Sequence, residues 1–294
     1  MDNIFEISGL NKSYEGFALK DVSFSLPRGF IMGFVGQNGS GKTTTIRSLL
    51  GMARPDSGSI TIFGLDHQRS ATEIKERIGV VFDSLYFAEH LNVRQIEKQL
   101  KPFYKNWDSN EYARRIKQFE LPENKPCGEF SKGMKMKLMI AVAISHQAEL
   151  IILDEPTSGL DPVARDELLD VLAEYIEDEK RGVLFSTHIT SDVERIADYI
   201  TVLHGGRVWF TGTKEKLENS YYVLKGGEDE ISSALREKCI GFHAYRNGFD
   251  ALLDARYLEE VPPALVTEKA GIDEILVYIA KEDKHERHSE DDTL

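Results

Sequence analysis

Eight residues at positions 36–43, GQNGSGKT, follow the pattern G-x-x-x-x-G-K-[ST]. The apolar run FIMGFV precedes them, and the helix-compatible TTTIRSLLG overlaps their end. Glycines at 36, 39 and 41 let the backbone turn at little steric cost, so that successive N–H groups can point inward at phosphates. The start of the following helix adds the positive end of its dipole. Asn38, Gly39, Ser40, Gly41 and Thr44 are expected to line the cradle. Lys42 is expected to reach the β- and γ-phosphates and Thr43 to ligate Mg²⁺. The plainer alternative is a glycine turn that only caps a helix.

Two further stretches carry candidate chemistry. LIILDE, residues 150–155, is four apolar residues ending in two acids. It describes a buried strand with carboxylates at its C-terminal end, where open α/β sheets bind ligands. Beside a phosphate loop, Asp154 is expected to hold Mg²⁺ and Glu155 to orient or deprotonate an attacking water. In FSKGMKMKL, residues 130–138, Ser131 can cap a helix beginning near Met134. The remaining N–H groups and the hydroxyl can still meet an anion.

Positioning these groups requires a sheet. Short β-like runs at 4–7, 22–26, 30–35, 60–63, 78–82, 150–153, 183–186, 199–203 and 207–211 alternate with helical patterns near 42–51, 71–77, 92–105, 109–119, 134–146, 162–178 and 190–197. Runs apolar at nearly every residue, such as IILD and GVLFS, predict an α/β fold whose mainly parallel sheet is covered on both faces. Residues 84–146 hold helices and almost no strand, and read as an inserted helical subdomain. After residue 215 the pattern becomes a small α+β (βαββ) unit over 216–280 with a helix near 272–280; the polar stretch 281–294 reads as a disordered tail.

Composition narrows the class. The 294 residues are 41% hydrophobic and 29% charged, as in an ordinary globular protein. A net charge of −13 argues against general nucleic-acid binding, which needs lysine and arginine to neutralise phosphates. Only Cys127 and Cys239 are present, which suggests a reducing compartment. The start MDNIFEISGL lacks the features of a secretory signal. The longest apolar run, Leu138 to Ile144, has seven residues, too few to cross a membrane.

With GQNGSGKTT, FSKGM, LIILDEP, SGLD and STH in that order, the sequence resembles the nucleotide-binding subunits of ABC transporters over residues 3–215. The resemblance implies a P-loop NTPase core with an N-terminal antiparallel β subdomain, and ATP hydrolysis with Mg²⁺. It places Tyr14 where an aromatic stacks on adenine, and His188 where a switch histidine contacts the γ-phosphate. Ser158 to Asp161 match a loop that crosses a dimer interface. FSKGM stands where the family usually shows LSGGQ, so Ser131, Lys132 and Gly133 would meet the γ-phosphate of ATP held by a second copy or a paralogous subunit. Asp83 stands where the family has a glutamine that joins Mg²⁺ and water to the membrane partner; an aspartate there can bind metal or cap the next helix. SLYFAEHLNV, with Tyr86 and Phe87, matches the region that receives a cytoplasmic helix of the transmembrane subunit. The form S-K-G-M resembles exporter ATPases with a separate ABC-2-type transmembrane subunit, including exporters of peptides and antibiotics. The expected location is therefore the cytoplasmic, inner face of the membrane. The alternatives are a soluble ABC-type factor acting on ribosomes or DNA, and an inactive regulatory subunit. The presence of one nucleotide-binding unit disfavours the first, and Glu155 with His188 disfavours the second.

Overall fold

The computed structural model describes residues 2–291, with side chains as far as Glu282. The chain divides into two compact units, Met1–Thr211 and Gly212–Leu294, close to the expected change at residue 215.

The first unit opens with β1 (Asn3–Tyr14) and β2 (Phe17–Pro27), followed by β3 (Ile31–Val35) and α1 (Lys42–Leu49). Then come β4 (Ser57–Ile62), β5 (Leu65–Asp66), α2 (Ala71–Glu76) and β6 (Ile78–Val81). Helices α3 (Val93–Leu100), α4 (Ser109–Gln118) and α5 (Lys132–Ser145) lead to β7 (Leu150–Asp154), α6 (Pro162–Tyr175) and β8 (Gly182–Thr187). Next come α7 (Thr190–Ile196), β9 (Tyr199–His204) and β10 (Arg207–Thr213), within which the first unit ends. The six-stranded sheet runs β10-β9-β3-β8-β7-β6, and its β9-β3-β8-β7-β6 pairs are parallel. Every residue of β3, β7 and β8 is buried, because both faces of the sheet are covered.

A four-stranded antiparallel sheet, β2-β1-β4-β5, supplies the expected N-terminal subdomain. Its Phe24 stacks on Phe34 of β3 with ring centroids 5.2 Å apart, and Phe5 meets Phe24 edge-on at 5.7 Å. These rings belong to one apolar core that joins the two sheets.

The helical subdomain leaves and re-enters between the neighbouring parallel strands β6 and β7. Helix α3 is shorter than the expected 92–105; it starts in an Asn92–Gln95 capping box and gives way to a 3-10 turn at Lys101–Phe103. Arg115 of α4 is buried and reaches Glu111 and, across to α6, Glu174. The Arg114 hydrogen bond, aided by Arg115 and opposed by partial burial, holds the Glu111 carboxyl down at about 2. A depressed carboxylate contributes stability above its ordinary titration range and loses it as pH falls toward its folded value. Melting temperature is therefore expected to fall between about pH 5 and pH 2, with a shallower slope in Glu111→Gln. Equal slopes in calorimetry would show that this pair contributes nothing.

The second unit holds α8 (Lys214–Ser220), β11 (Tyr221–Gly226), α9 (Ser233–Arg236), β12 (Cys239–Tyr245), β13 (Gly248–Asp254), β14 (Val266–Lys269) and α10 (Ile272–Asp291). Its antiparallel sheet is ordered β12-β13-β11-β14. Two elements exceed the expected βαββ pattern. Helix α8 starts from a Thr213 cap, and β14 is an edge strand exposed at all four residues, VTEK, with no apolar alternation to announce it. Helix α10 continues to Asp291, so most of the expected disordered segment 281–294 is helical; residues 292–294 lie outside the described residues. Lys, Glu and Arg are good helix formers, which polarity alone conceals.

Candidate functional site

The phosphate loop joins the C-terminal end of β3 to α1 in the centre of the parallel sheet. A Cβ at Gly36 would lie 2.2 Å from the Leu203 carbonyl oxygen, and Gly41 holds φ at +111°, so both positions need glycine. Lys42 is buried, and its Nζ donates to the Gly36 carbonyl at 2.7 Å and the Gln37 carbonyl at 3.4 Å. Ser40 is buried beside it, and among the described residues its Oγ has no hydrogen-bond partner. Gln37, Asn38, Gly39 and Thr43 are exposed, and Thr44 is half-buried. An unpartnered hydroxyl, a buried ammonium and a helix start facing one loop suit a polyphosphate anion.

Across the sheet, β7 ends at Asp154, and Glu155 follows in the left-handed region at φ +52°. That conformation costs a non-glycine residue about 1–3 kcal/mol and persists only where its surroundings impose it. Ser186 of β8 imposes it. Its Oγ donates to Asp154 Oδ1 at 2.6 Å, and the Glu155 N–H donates to the same Oγ at 3.0 Å. Glu155 Oε1 lies 3.3 Å from Lys42 Nζ, within ion-pair range though not aligned as a hydrogen bond. Glu155 Oε2 lies 2.6 Å from Nδ1 of the exposed His188. The structure thus brings Lys42, Glu155 and His188 into one chain of contacts, with Asp154 beside it.

Ser186 did not emerge as a site residue from the sequence. The signal lies in LFSTH: a hydroxyl inside an otherwise apolar buried strand needs a partner. Ser186→Ala is expected to lower ATP turnover by about 10–100-fold, as loss of outer supporting hydrogen bonds does. Unchanged turnover in a folded variant would remove Ser186 from the site.

The oxygen donors Thr43 and Asp154 suit Mg²⁺, which is usually held by one or two protein ligands together with phosphate oxygens and water. Among the described residues no group of three or more His, Cys, Asp or Glu could hold a metal. Asp83 is exposed and has no role as a helix cap; Asn92 caps the helix that follows.

The remaining expected residues are distributed over the surface. Tyr14 ends β1 half-exposed, with Lys12 Nζ 5.4 Å from its ring centroid. Ser131 caps α5 by accepting from the Met134 N–H at 3.2 Å; the helix begins at Lys132, two residues before the expected Met134. Gly133 faces Ala164 of α6 closely, and the Lys132 ammonium lies against Gly159. Asp161 caps α6 by accepting from the Val163 and Ala164 N–H groups, each at 3.0 Å. Among the described residues no hydrogen bond or ion pair joins residues 131–133 to the phosphate loop, Asp154, Glu155 or His188.

Apart from this site, a cavity of about 360 Å³ opens between the core and the helical subdomain, lined by Leu49, Ile74, Phe82, Tyr104, Val142 and His146 among others. Tyr86 lines it too, its ring centroid 4.4 Å from that of Phe87.

A phosphate loop at a strand–helix junction, facing two acids at the tip of β7 two strands away, defines a P-loop NTPase core. The ABC transporter family profile matches residues 19–158. Bacitracin transport ATP-binding protein BcrA of Bacillus licheniformis is 35% identical over 86% of this chain and 85% of its own length. ABC transporter ATP-binding protein NatA of Bacillus subtilis is 32% identical over 69% of this chain and 85% of its own. A solved ATP-binding subunit of an ABC transporter has a TM-score of 0.67 at 32% identity, covering 73% of this chain and 92% of that one. The chain belongs to the ATP-binding subunits of ABC transporters. It is an ATPase of that family, whose members dimerise and work with transmembrane partners. Among the described residues no helix is long and apolar enough to cross a membrane.

Proposed function

We propose that this chain is the ATP-hydrolysing subunit of an exporter of antimicrobial or other peptides, seated on the cytoplasmic face of the membrane beneath a separate ABC-2-type transmembrane subunit. The observation that carries the dimeric part of this reading is the division of the anion-binding groups. Phosphate loop, acids and His188 form one set, whereas among the described residues the Ser131 turn makes no bond to them. Two copies facing each other head to tail reunite the sets, with ATP between them. The S-K-G-M signature and the bacitracin-transport name of a relative support export.

In that sandwich the loop 38–44 cradles the triphosphate, Lys42 turns from its carbonyl partners to the β- and γ-phosphates, and Tyr14 stacks on adenine. Ser131, Lys132 and Gly133 approach the γ-phosphate from the second copy, and Asp161 fixes the loop beside them. Thr43 and Asp154 would hold Mg²⁺, which would shield phosphate charge when bound. Asp83, exposed in this chain like Thr43, is a further candidate oxygen donor for the same ion. Glu155 accepts a proton at its carboxylate from the attacking water, and His188, fixed through Nδ1, leaves Nε2 for the γ-phosphate. The apolar cavity beside Tyr86 and Phe87 receives a short helix of the transmembrane subunit. Purification of the tagged chain from its native membrane is expected to recover an integral membrane protein. Recovery of RNA without one would overturn the transport reading in favour of a soluble factor.

A further inference from the structure

The catalytic pair sits in a closed ring of contacts. From Glu155 the chain turns twice, with the Ser158 N–H donating to the Glu155 carbonyl at 3.3 Å and the Leu160 N–H to the Thr157 carbonyl at 3.1 Å. Asp161 then starts α6, and the Arg165 N–H donates to the Asp161 carbonyl at 3.0 Å. The Arg165 guanidinium crosses to the first turn of α7, where Nε donates to Asp192 Oδ1 and Nη2 to Ser191 Oγ. From Asp192 the chain runs back through Ile189, whose N–H donates to Thr187 Oγ1 at 2.9 Å, to His188. His188 closes the ring on Glu155 at 2.6 Å.

The link between Arg165 and Asp192 differs from the other bridges between these helices. Asp192 is 1% exposed, and its Oδ2 accepts no hydrogen bond among the described residues. A carboxylate so placed is costly to leave uncompensated, so Arg165 is held firmly against it. Arg195 also joins α7 to α6, through Asp166 and Asp170, but those carboxylates are exposed and such pairs contribute little. Arg195 therefore supplies an internal control: the same two helices, bridged outside the ring.

We propose that Arg165 and Asp192 are positioning residues that tie the 158–161 loop to His188, so that seating of this loop against a second copy is transmitted to the chain's own Glu155–His188 pair. The inference rests on the site reading above. Coupling of this kind needs a contiguous element that both ends bias, and the ring is one.

The test measures steady-state ATPase activity of the full chain for R165A, R165K, D192N and R195A, beside E155Q. R165A and D192N are each expected to lower kcat about tenfold with KM within about twofold, since misplacement of a catalytic group costs rate more than binding. R165K is expected to restore most of the loss, and the double variant R165A/D192N to fall no further than either single one. The ¹⁵N signal of His188 Nδ1 is expected to move in R165A and stay in place in R195A. D192N removes the buried charge and keeps the shape, so it decides the matter where R165A does not fold. Wild-type kcat in D192N, or equal losses in R195A, overturns the ring. An inactive E155Q with that outcome sinks the ring alone, whereas an active E155Q sinks the site reading beneath it.

Discussion

Replacing Glu155 with glutamine is expected to lower ATP turnover by about 10³-fold, within the range a positioned general base supplies. Glu155 is held in a left-handed conformation by two hydrogen bonds from its N–H to Ser186, and its two carboxylate oxygens face Lys42 and His188. Glutamine keeps the size and can still meet both neighbours, but it cannot take a proton from water. Binding of ATP, which depends on the loop at 36–44, should survive. If the paired copies separate on hydrolysis, as the proposed sandwich requires, E155Q with Mg²⁺ and ATP accumulates as a dimer, seen as a doubled mass by light scattering. Wild-type hydrolysis in E155Q would remove Glu155 as the base. A monomer at saturating ATP would remove the sandwich.

Lys42→Ala is expected to weaken ATP binding by about 10–100-fold. A charge-assisted hydrogen bond contributes about 1.5–3 kcal/mol, and each 1.4 kcal/mol is tenfold in affinity. Lys42 is buried and already aimed into the loop, so little ordering remains for the nucleotide to induce. Arginine is not a substitute: its planar fork does not fit a space in which Nζ lies within 3.4 Å of three oxygens, those of Gly36, Gln37 and Glu155. Nucleotide affinity measured calorimetrically in K42A and K42R tests this directly, and wild-type affinity in either variant would sink it.

Both predictions rest on residues legible in the chain before any fold was known, and the reason is geometric. The phosphate loop is one continuous strand–loop–helix segment, so its types and spacing carry its shape. The acids at 154 and 155 are legible because a short apolar run that ends in two acids, in the same chain as a phosphate loop, describes a buried strand with carboxylates at its C-terminal end. The order of five short motifs did the rest. By contrast, β14 and α8 escaped because short, exposed elements bury no periodic face. Helix α10 overran its expected end because charged residues that look unfolded are also good helix formers. Ser186 escaped because a serine in a strand acquires meaning only beside the neighbouring strand that carries Asp154 and Glu155.

By itself, then, the sequence determined the phosphate loop, the acid-tipped strand and the capped turn at Ser131, each set within a few consecutive residues, and, through the alternation of apolar runs with helical patterns, the α/β class of the core. Tertiary structure decided which of them meet. It placed β3, β7 and β8 side by side, so that Lys42, Glu155 and His188 touch, although they are 113 and 33 residues apart in turn. It also ran Arg165 across to Asp192. Such contacts depend on strand order and helix packing, which bring distant parts of the chain together through burial of apolar surface, and no local pattern encodes that order.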